Sequence, residues 1–396
     1  MSVTVPSLHS IPIVSAPDEV RVMIVDDAAV VRSLLSRWID ETPGLKLVAA
    51  LRNGREAIER LDHARPDVVV LDVEMPELDG ISTLPRLLER RRDLTVIMAS
   101  ALTRDHAEVT IKALALGAAD YVAKPLADGG VMTSIAFQRE LIDKILALGL
   151  RRKKRPLPLH ARSTVNPALR RLGGAAQRTL KWRTAAPEAA PGQFKLRPFQ
   201  PMPPRILLIG ASTGGPQALT RLVSRLDAVT ETAPILITQH MPATFTTILA
   251  EHLARAGGKP VHEAVDGEPV LPGHIYLAPG GRHLKVARRN GTAVIELDDG
   301  PAIHFCKPAV DPLFVSAAEV WGSWNLALIL TGMGCDGAGG AAEIVKAGGS
   351  VIAQDEATSV IWGMPGAAAA AGLCSAVLPL EQIAPKVSRL FLGARS

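Results

Sequence analysis

Two groups of residues in this 396-residue chain have the types and positions that chemistry requires. The first is acidic: Asp26 and Asp27 follow the apolar run VRVMIV, and Asp72 closes VVVLD. Ser100 closes TVIMAS, and Lys124 with Pro125 closes DYVAK. Carboxylates brought to one place repel each other and call for a hard cation. Mg²⁺ suits such a site, taking one or two carboxylates and keeping water for a phosphoryl group. Singly, each aspartate reads as a helix cap and Lys124 as a surface residue. The joint pattern is far less easily an accident than any one of these features.

The second group starts in IGASTGGPQAL, where Gly210 to Gly214 satisfies G-x-S-x-G, a turn that exposes a serine between strand and helix. A Gly-rich dinucleotide loop occupies the same kind of junction, and a serine there can merely cap the helix. The motif alone leaves the three readings open. Later residues weigh against the dinucleotide: Ser212 stands where its fingerprint needs a second glycine, and the next strand, PILITQH, ends in His240 rather than an acid for the ribose. A neutral imidazole in that place suits a general base. A carboxylate must then hold the histidine's tautomer. LALILTGMGCDGAGG offers Asp336 in a glycine-rich loop after another apolar run, with Asp311 and Asp355 as alternatives. The order Ser212, His240, Asp336 is not the Ser, Asp, His order of α/β-hydrolases. In an acyl transfer, the Thr213 N–H, next after the nucleophile, is a natural oxyanion donor.

The elements that must position these residues are strands alternating with helical patterns. VRVMIV, KLVAAL, VVVLDV, TVIMAS and DYVAK read as five strands with helical segments between them. The alternation resumes in RILLIG, PILITQH, HIYLAP, LALILTG and SVIAQD. Such patterns predict βαβ units, so the expected fold class is α/β, with two doubly wound parallel-sheet domains. Both chemical groups then fall at C-terminal strand ends, where such sheets bind ligands. The expected domains span 20–145 and 205–396, after a flexible leader over 1–19 and around a linker over 146–204. The net charge is +5, but Arg151 to Pro204 holds 13 Lys and Arg against one acid, Glu188, which leaves −7 on the rest. Nine prolines lie between Pro156 and Pro204, and this composition predicts a solvated linker. A basic segment can bind polyanions, which raises a DNA-binding output module as a rival, but no helix-turn-helix pattern accompanies it and no nucleic-acid partner is expected. Three cysteines, Cys306, Cys335 and Cys374, show no metal-ligand spacing. With no secretion signal and no spanning apolar run, the expected location is the cytoplasm.

VDD, LDVEMPELDG, Ser100 and YVAKP resemble the response-regulator receiver domains, which have a flavodoxin-like fold. The resemblance implies that Asp72 accepts a phosphoryl group from a histidine kinase. It also implies that Asp26, Asp27, Asp72 and the backbone carbonyl of Glu74 hold Mg²⁺, and that Ser100, Lys124 and Tyr121 form the switch. IGASTGG, TQHMP, LTGMGCDGA and AQDEATSVIWGMPGAA resemble the catalytic domain of the chemotaxis protein-glutamate methylesterases, the CheB family, which has a Rossmann-like α/β fold. That resemblance implies a Ser212, His240 and Asp336 triad, a second oxyanion donor from the Met333 backbone, and no cofactor for the ester reaction. The implied substrates are γ-glutamyl methyl esters, and certain glutamines, on chemoreceptor cytoplasmic helices, so that the membrane is met only through receptors. The family's habitual His-Arg-Pro-Ser-Val-Asp reads Cys306-Lys307-Pro308-Ala309-Val310-Asp311 here, a departure on the substrate side.

Overall fold

The computed structural model describes residues 19–124, 135–154 and 194–393. The leader through residue 18, Pro125 and the middle of the expected linker lie outside the described residues.

In the first domain the strands β1 (Val20–Val25), β2 (Leu45–Leu51), β3 (Val68–Asp72), β4 (Thr95–Ala101) and β5 (Asp120–Lys124) are all parallel, in the order β2-β1-β3-β4-β5. Helices α1 (Ala29–Asp40), α2 (Gly54–Ala64), α3 (Gly80–Arg90), α4 (Arg104–Ala115) and α5 (Ile135–Lys154) cover the faces. VVVLD is buried at every position because helices pack on both of its sides. Asn53, Asp79 and Thr103 open α2, α3 and α4, each side chain accepting an N–H three residues on.

Helix α5 corrects the expected linker start at 146. The helix continues to Lys154, Leu148 is buried, and Gly149 packs against Val20. Basic charge was a poor guide there, because Arg152 pairs with Asp67 and Asp93 rather than facing solvent alone. At the other end, residues 194–204 lie on the second domain. The Arg197 N–H donates to Cys374 O (2.9 Å), and Phe194 meets Trp362 with ring centroids 5.4 Å apart.

The second domain runs β6 (Ile206–Ala211), α6 (Gly215–Val223), α7 (Asp227–Thr232), β7 (Ile235–Gln239), α8 (Ala243–Gly257), β8 (Val261–Glu263), β9 (Ile275–Leu277), β10 (His283–Arg289), β11 (Thr292–Asp298), α9 (Val310–Trp321), β12 (Asn325–Ile329), α10 (Ala338–Lys346), β13 (Ser350–Gln354), α11 (Met364–Ala370), β14 (Ala376–Leu378) and α12 (Leu380–Phe391). Seven strands form a parallel sheet, β14-β13-β12-β6-β7-β9-β8, and β10 and β11 form a separate antiparallel hairpin. The chain builds outward from β6 on one side, then returns to β12 on the other. The carboxyl ends of β6 and β12 therefore flank a topological switch point.

The two domains pack together. One apolar cluster runs from Met98, Ile111 and Tyr121 of the first to Leu222, Phe245 and Ile248 of the second.

Candidate active site

The register of β6 and β7 pairs Ala211 with Gln239, so Ser212 and His240 are the next residues along two adjacent strands. Side chains alternate across a sheet. Leu208 and Leu236 enter one core and Leu207 and Ile235 the other, which puts Ser212 and His240 on the Leu208 face. The Ser212 N–H donates to Thr331 O (3.0 Å), which ties the serine to the end of β12. Gly332 sits beside it: a Cβ there would lie 2.8 Å from Ser212 Cβ and 2.3 Å from Met364 sulfur, so only glycine fits.

Asp336 meets His240, with Oδ2 2.7 Å from Nε2. The carboxylate is 2% exposed, yet it is well satisfied. Its Oδ2 also accepts from the Val310 N–H (2.6 Å), and Oδ1 accepts from the N–H groups of Asp311 (3.0 Å) and Gly337 (2.9 Å). Burial alone would raise its pKa, but the His240 ring and these backbone donors hold it below the ordinary carboxylate value. For His240, burial would lower the pKa. The hydrogen bond to Asp336, with a further contribution from nearby Cys306, outweighs that and pushes it up to about 9. Asp311 is not the histidine's partner: its Oδ1 accepts from Gly337 (3.0 Å) and Gly340 (2.6 Å) at the start of α10. Asp355 instead binds Thr358.

Among the described residues, neither the Thr213 nor the Met333 N–H has a hydrogen-bond partner. Ser212 Oγ likewise makes no hydrogen bond to His240 among them, and such bonds commonly tighten only around substrate. Nucleophile, imidazole, buried carboxylate and two free N–H donors at one sheet edge are the equipment of acyl transfer.

The acidic group also assembles. Asp26, Asp27 and Asp72 present carboxylate oxygens within 4.8 Å of one another, a donor set that fits a hard divalent cation. Lys124 Nζ lies 2.7 Å from both Asp26 Oδ2 and Asp72 Oδ1. Burial pushes Asp72 up to about 6 against the pull of Lys124, and Asp26 adds to the rise. Ser100 faces away from this cluster, accepting from Thr110 Oγ1 (2.8 Å). The side chain of Glu74 pairs with His106 (3.0 Å).

Tyr121 stacks on Phe245 of the second domain, with centroids 4.6 Å apart and planes 10° from parallel. Beside it, Asp120 Oδ2 accepts from Thr213 Oγ1 (2.9 Å) and from Lys144 Nζ (3.0 Å). Arg139 of α5 lies 4.3 Å over the ring of Phe305, the neighbour of Cys306. Lys307 turns its Nζ to Asp299 O (2.8 Å). Sequence reading passed over Asp120 and Gln239, and it named Cys306 only as a cysteine without metal-ligand spacing and as a departure from the family's run. Gln239 had one signal, its place beside His240, while Asp120 had none.

Comparison with known proteins identifies relatives of both domains. Residues 207–387 match the family described as CheB methylesterase, and residues 22–136 match the response regulator receiver domain. The chain is 55% identical over 382 residues to a Rhodopseudomonas palustris protein named protein-glutamate methylesterase/protein-glutamine glutaminase of group 2 operon, covering 96% of each. It is 56% identical over 379 residues to a Nitrobacter hamburgensis protein named protein-glutamate methylesterase/protein-glutamine glutaminase, again covering 96% of each. The crystal structure of the Thermotoga maritima CheB methylesterase catalytic domain shares 42% identity, covers 47% of this chain and 98% of its own, and superposes with a TM-score of 0.46.

Proposed function

The chain belongs to the protein-glutamate methylesterase/protein-glutamine glutaminase family, and from that premise we propose that it hydrolyses γ-glutamyl methyl esters, and deamidates particular glutamines, on chemoreceptor cytoplasmic helices under control of a receiver domain. Ser212 attacks the ester carbonyl while His240 takes its proton, and the imidazolium returns that proton to the departing methanol. Asp336 orients the ring and stabilises its charged form. The N–H groups of Thr213 and Met333 receive the oxyanion. Water then attacks the acyl-enzyme with His240 again as base, which restores Ser212 and leaves a glutamate carboxylate.

The observation that carries this reading is the Asp336–His240 hydrogen bond, made one register step from Ser212. Methanol release from methylated receptor membranes tests it. Ser212→Ala should abolish release, and a variant that retained it would refute the reading.

In the receiver, Asp72 is the phosphoacceptor and a chemotaxis-type histidine kinase the donor. Asp26, Asp27, Asp72 and the Glu74 backbone carbonyl would hold Mg²⁺, which neutralises charge on the transferring phosphoryl group. Lys124 pairs with the phosphorylated site, and Ser100 and Tyr121 report its state. With Tyr121 on Phe245 and Asp120 on Thr213, the unphosphorylated receiver restrains the catalytic edge, and phosphorylation relieves it. Among the described residues no helix is long and apolar enough to cross a membrane, which suits a cytoplasmic enzyme that reaches the membrane through its receptors. Nucleic acid has no part in this function.

A further inference from the structure

Gln239 ends β7, immediately before His240, and alternation sends its side chain to the opposite face of the sheet. It is 2% exposed. Its Nε2 donates to two main-chain carbonyls, those of Ser212 (3.0 Å) and His240 (3.2 Å). The strand ladder has run out at this point, its last bond from the His240 N–H to Ala211 O (3.1 Å). One side-chain amide therefore ties together the main chains of the nucleophile and the base.

On its other side the amide is crowded, and Oε1 is buried with no hydrogen-bond partner among the described residues. A Cβ on Gly215 would lie 1.9 Å from Gln239 Oε1, so α6 can begin here only with glycine. The Gly215 N–H also donates to Ser212 O (2.7 Å). A reversed amide would set its oxygen against both carbonyls, so the Nε2 contacts define its orientation.

The peptide from Ser212 to Thr213 is planar and trans, with its C=O and N–H pointing in opposite directions. Gln239 and Gly215 hold the oxygen toward the α6 face. The Thr213 N–H is thereby turned to the other face, the one that carries the Ser212 and His240 side chains, and it has no partner among the described residues. We infer that Gln239 is a positioning residue for the oxyanion: by gripping the Ser212 carbonyl it aims the Thr213 N–H at the developing negative charge, and by gripping the His240 carbonyl it keeps the base in step. This inference rests on the esterase reading above.

The test uses the full-length protein with Mg²⁺ and a phosphodonor, comparing wild type, Gln239→Met, which keeps the length without the donor, and Gln239→Glu, which sets a carboxylate against both carbonyls. Deleting an oxyanion donor costs ~10²–10³-fold in kcat, and misaiming one should cost ~10–100-fold, with KM changed by less than about threefold. Phenylboronic acid adds to a serine as a tetrahedral anion, so its affinity should fall by a similar factor. A strand cap with no part in aiming the donor would alter thermal stability and leave both readouts alone. The inference is overturned if both variants keep kcat within about threefold of wild type, or if the loss falls in KM with phenylboronic acid binding unchanged. Ser212→Ala is the separate control. If it still hydrolyses the ester or binds phenylboronic acid as wild type does, the esterase reading fails, whatever Gln239 does.

Discussion

Asp72 and Asp336 are both buried acids at the carboxyl edge of a parallel sheet, one in each domain. Burial pushes Asp72 up to about 6, and Lys124 only partly offsets it beside Asp26. Asp336, no less buried, stays below the ordinary value because His240 and the backbone N–H groups of Val310 and Asp311 satisfy it. The acid of the proposed catalytic edge is thus already satisfied by groups of its own domain. The receiver edge has more negative charge than its protein partners offset, and it is suited to wait for a cation and a phosphoryl group.

The sharpest way to break this comparison is to delete a member of the proposed catalytic site. Alanine at Ser212, His240 or Asp336 should each lower methyl-ester hydrolysis by ~10⁴-fold or more, and the losses should not multiply when combined. Phosphate labelling at Asp72 should be untouched in all three. Methanol release measured beside labelling would show whether the two edges are independent chemistries.

The waiting site is tested by labelling alone. Uptake of phosphate should require Mg²⁺ or a similar divalent ion, and Asp72→Asn should abolish it, because the clustered carboxylates need a cation. Labelling without metal, or at Asp72→Asn, would remove the contrast between the edges.

A smaller effect should appear where the edges touch. Asp120→Ala or Tyr121→Ala should raise unstimulated esterase activity by on the order of 10-fold, the scale of a coupling of one to three kcal/mol. The same variants should blunt the response to a phosphodonor. A catalytic fragment for comparison should begin at Phe194 rather than near residue 205, since residues 194–204 pack on the second domain. Unchanged basal rates in both variants and in the fragment would mean that the receiver does not restrain this site.

The smallest expected effect is a shift in pH dependence. His240 must be neutral to act as a base, so activity should rise with pH through its pKa, and the rising limb should lie above the ordinary 6.5, toward 9. Cys306 is one cause of that rise, and Cys306→Ala should move the limb down. The stability linked to His240 has the opposite sense: it is fully present below 6.5 and lost as pH climbs through the folded value near 9. A limb that ignores Cys306→Ala would show that the thiol leaves the ring's proton affinity alone.

The parallel strands and the residues at their ends were legible because fully buried β-branched runs such as VVVLD have few other readings. Ser212 and His240 follow a paired position on adjacent strands, and Asp336 Oδ2 lies 2.7 Å from His240 Nε2, a contact that neither Asp311 nor Asp355 makes among the described residues. The strands β8 and β14 are three residues each, too short for a periodic signal. The hairpin was there to be read, since Asn290 and Gly291 both have positive φ (50° and 83°), the requirement of a tight primed turn. The α5 extension hid behind a run of basic charge. Asp120 could not be found at all: its partner Thr213 lies 93 positions away in another domain, and pairings between domains leave no local period.

The stack of Tyr121 on Phe245 joins two faces of a single chain. A contact made within one chain forms as a first-order event, so under the regulation proposed above its reclosure should have a half-time that does not change on dilution. Under that proposal a cell that makes more or less of the protein alters how much esterase it has, but not how quickly the two faces meet again.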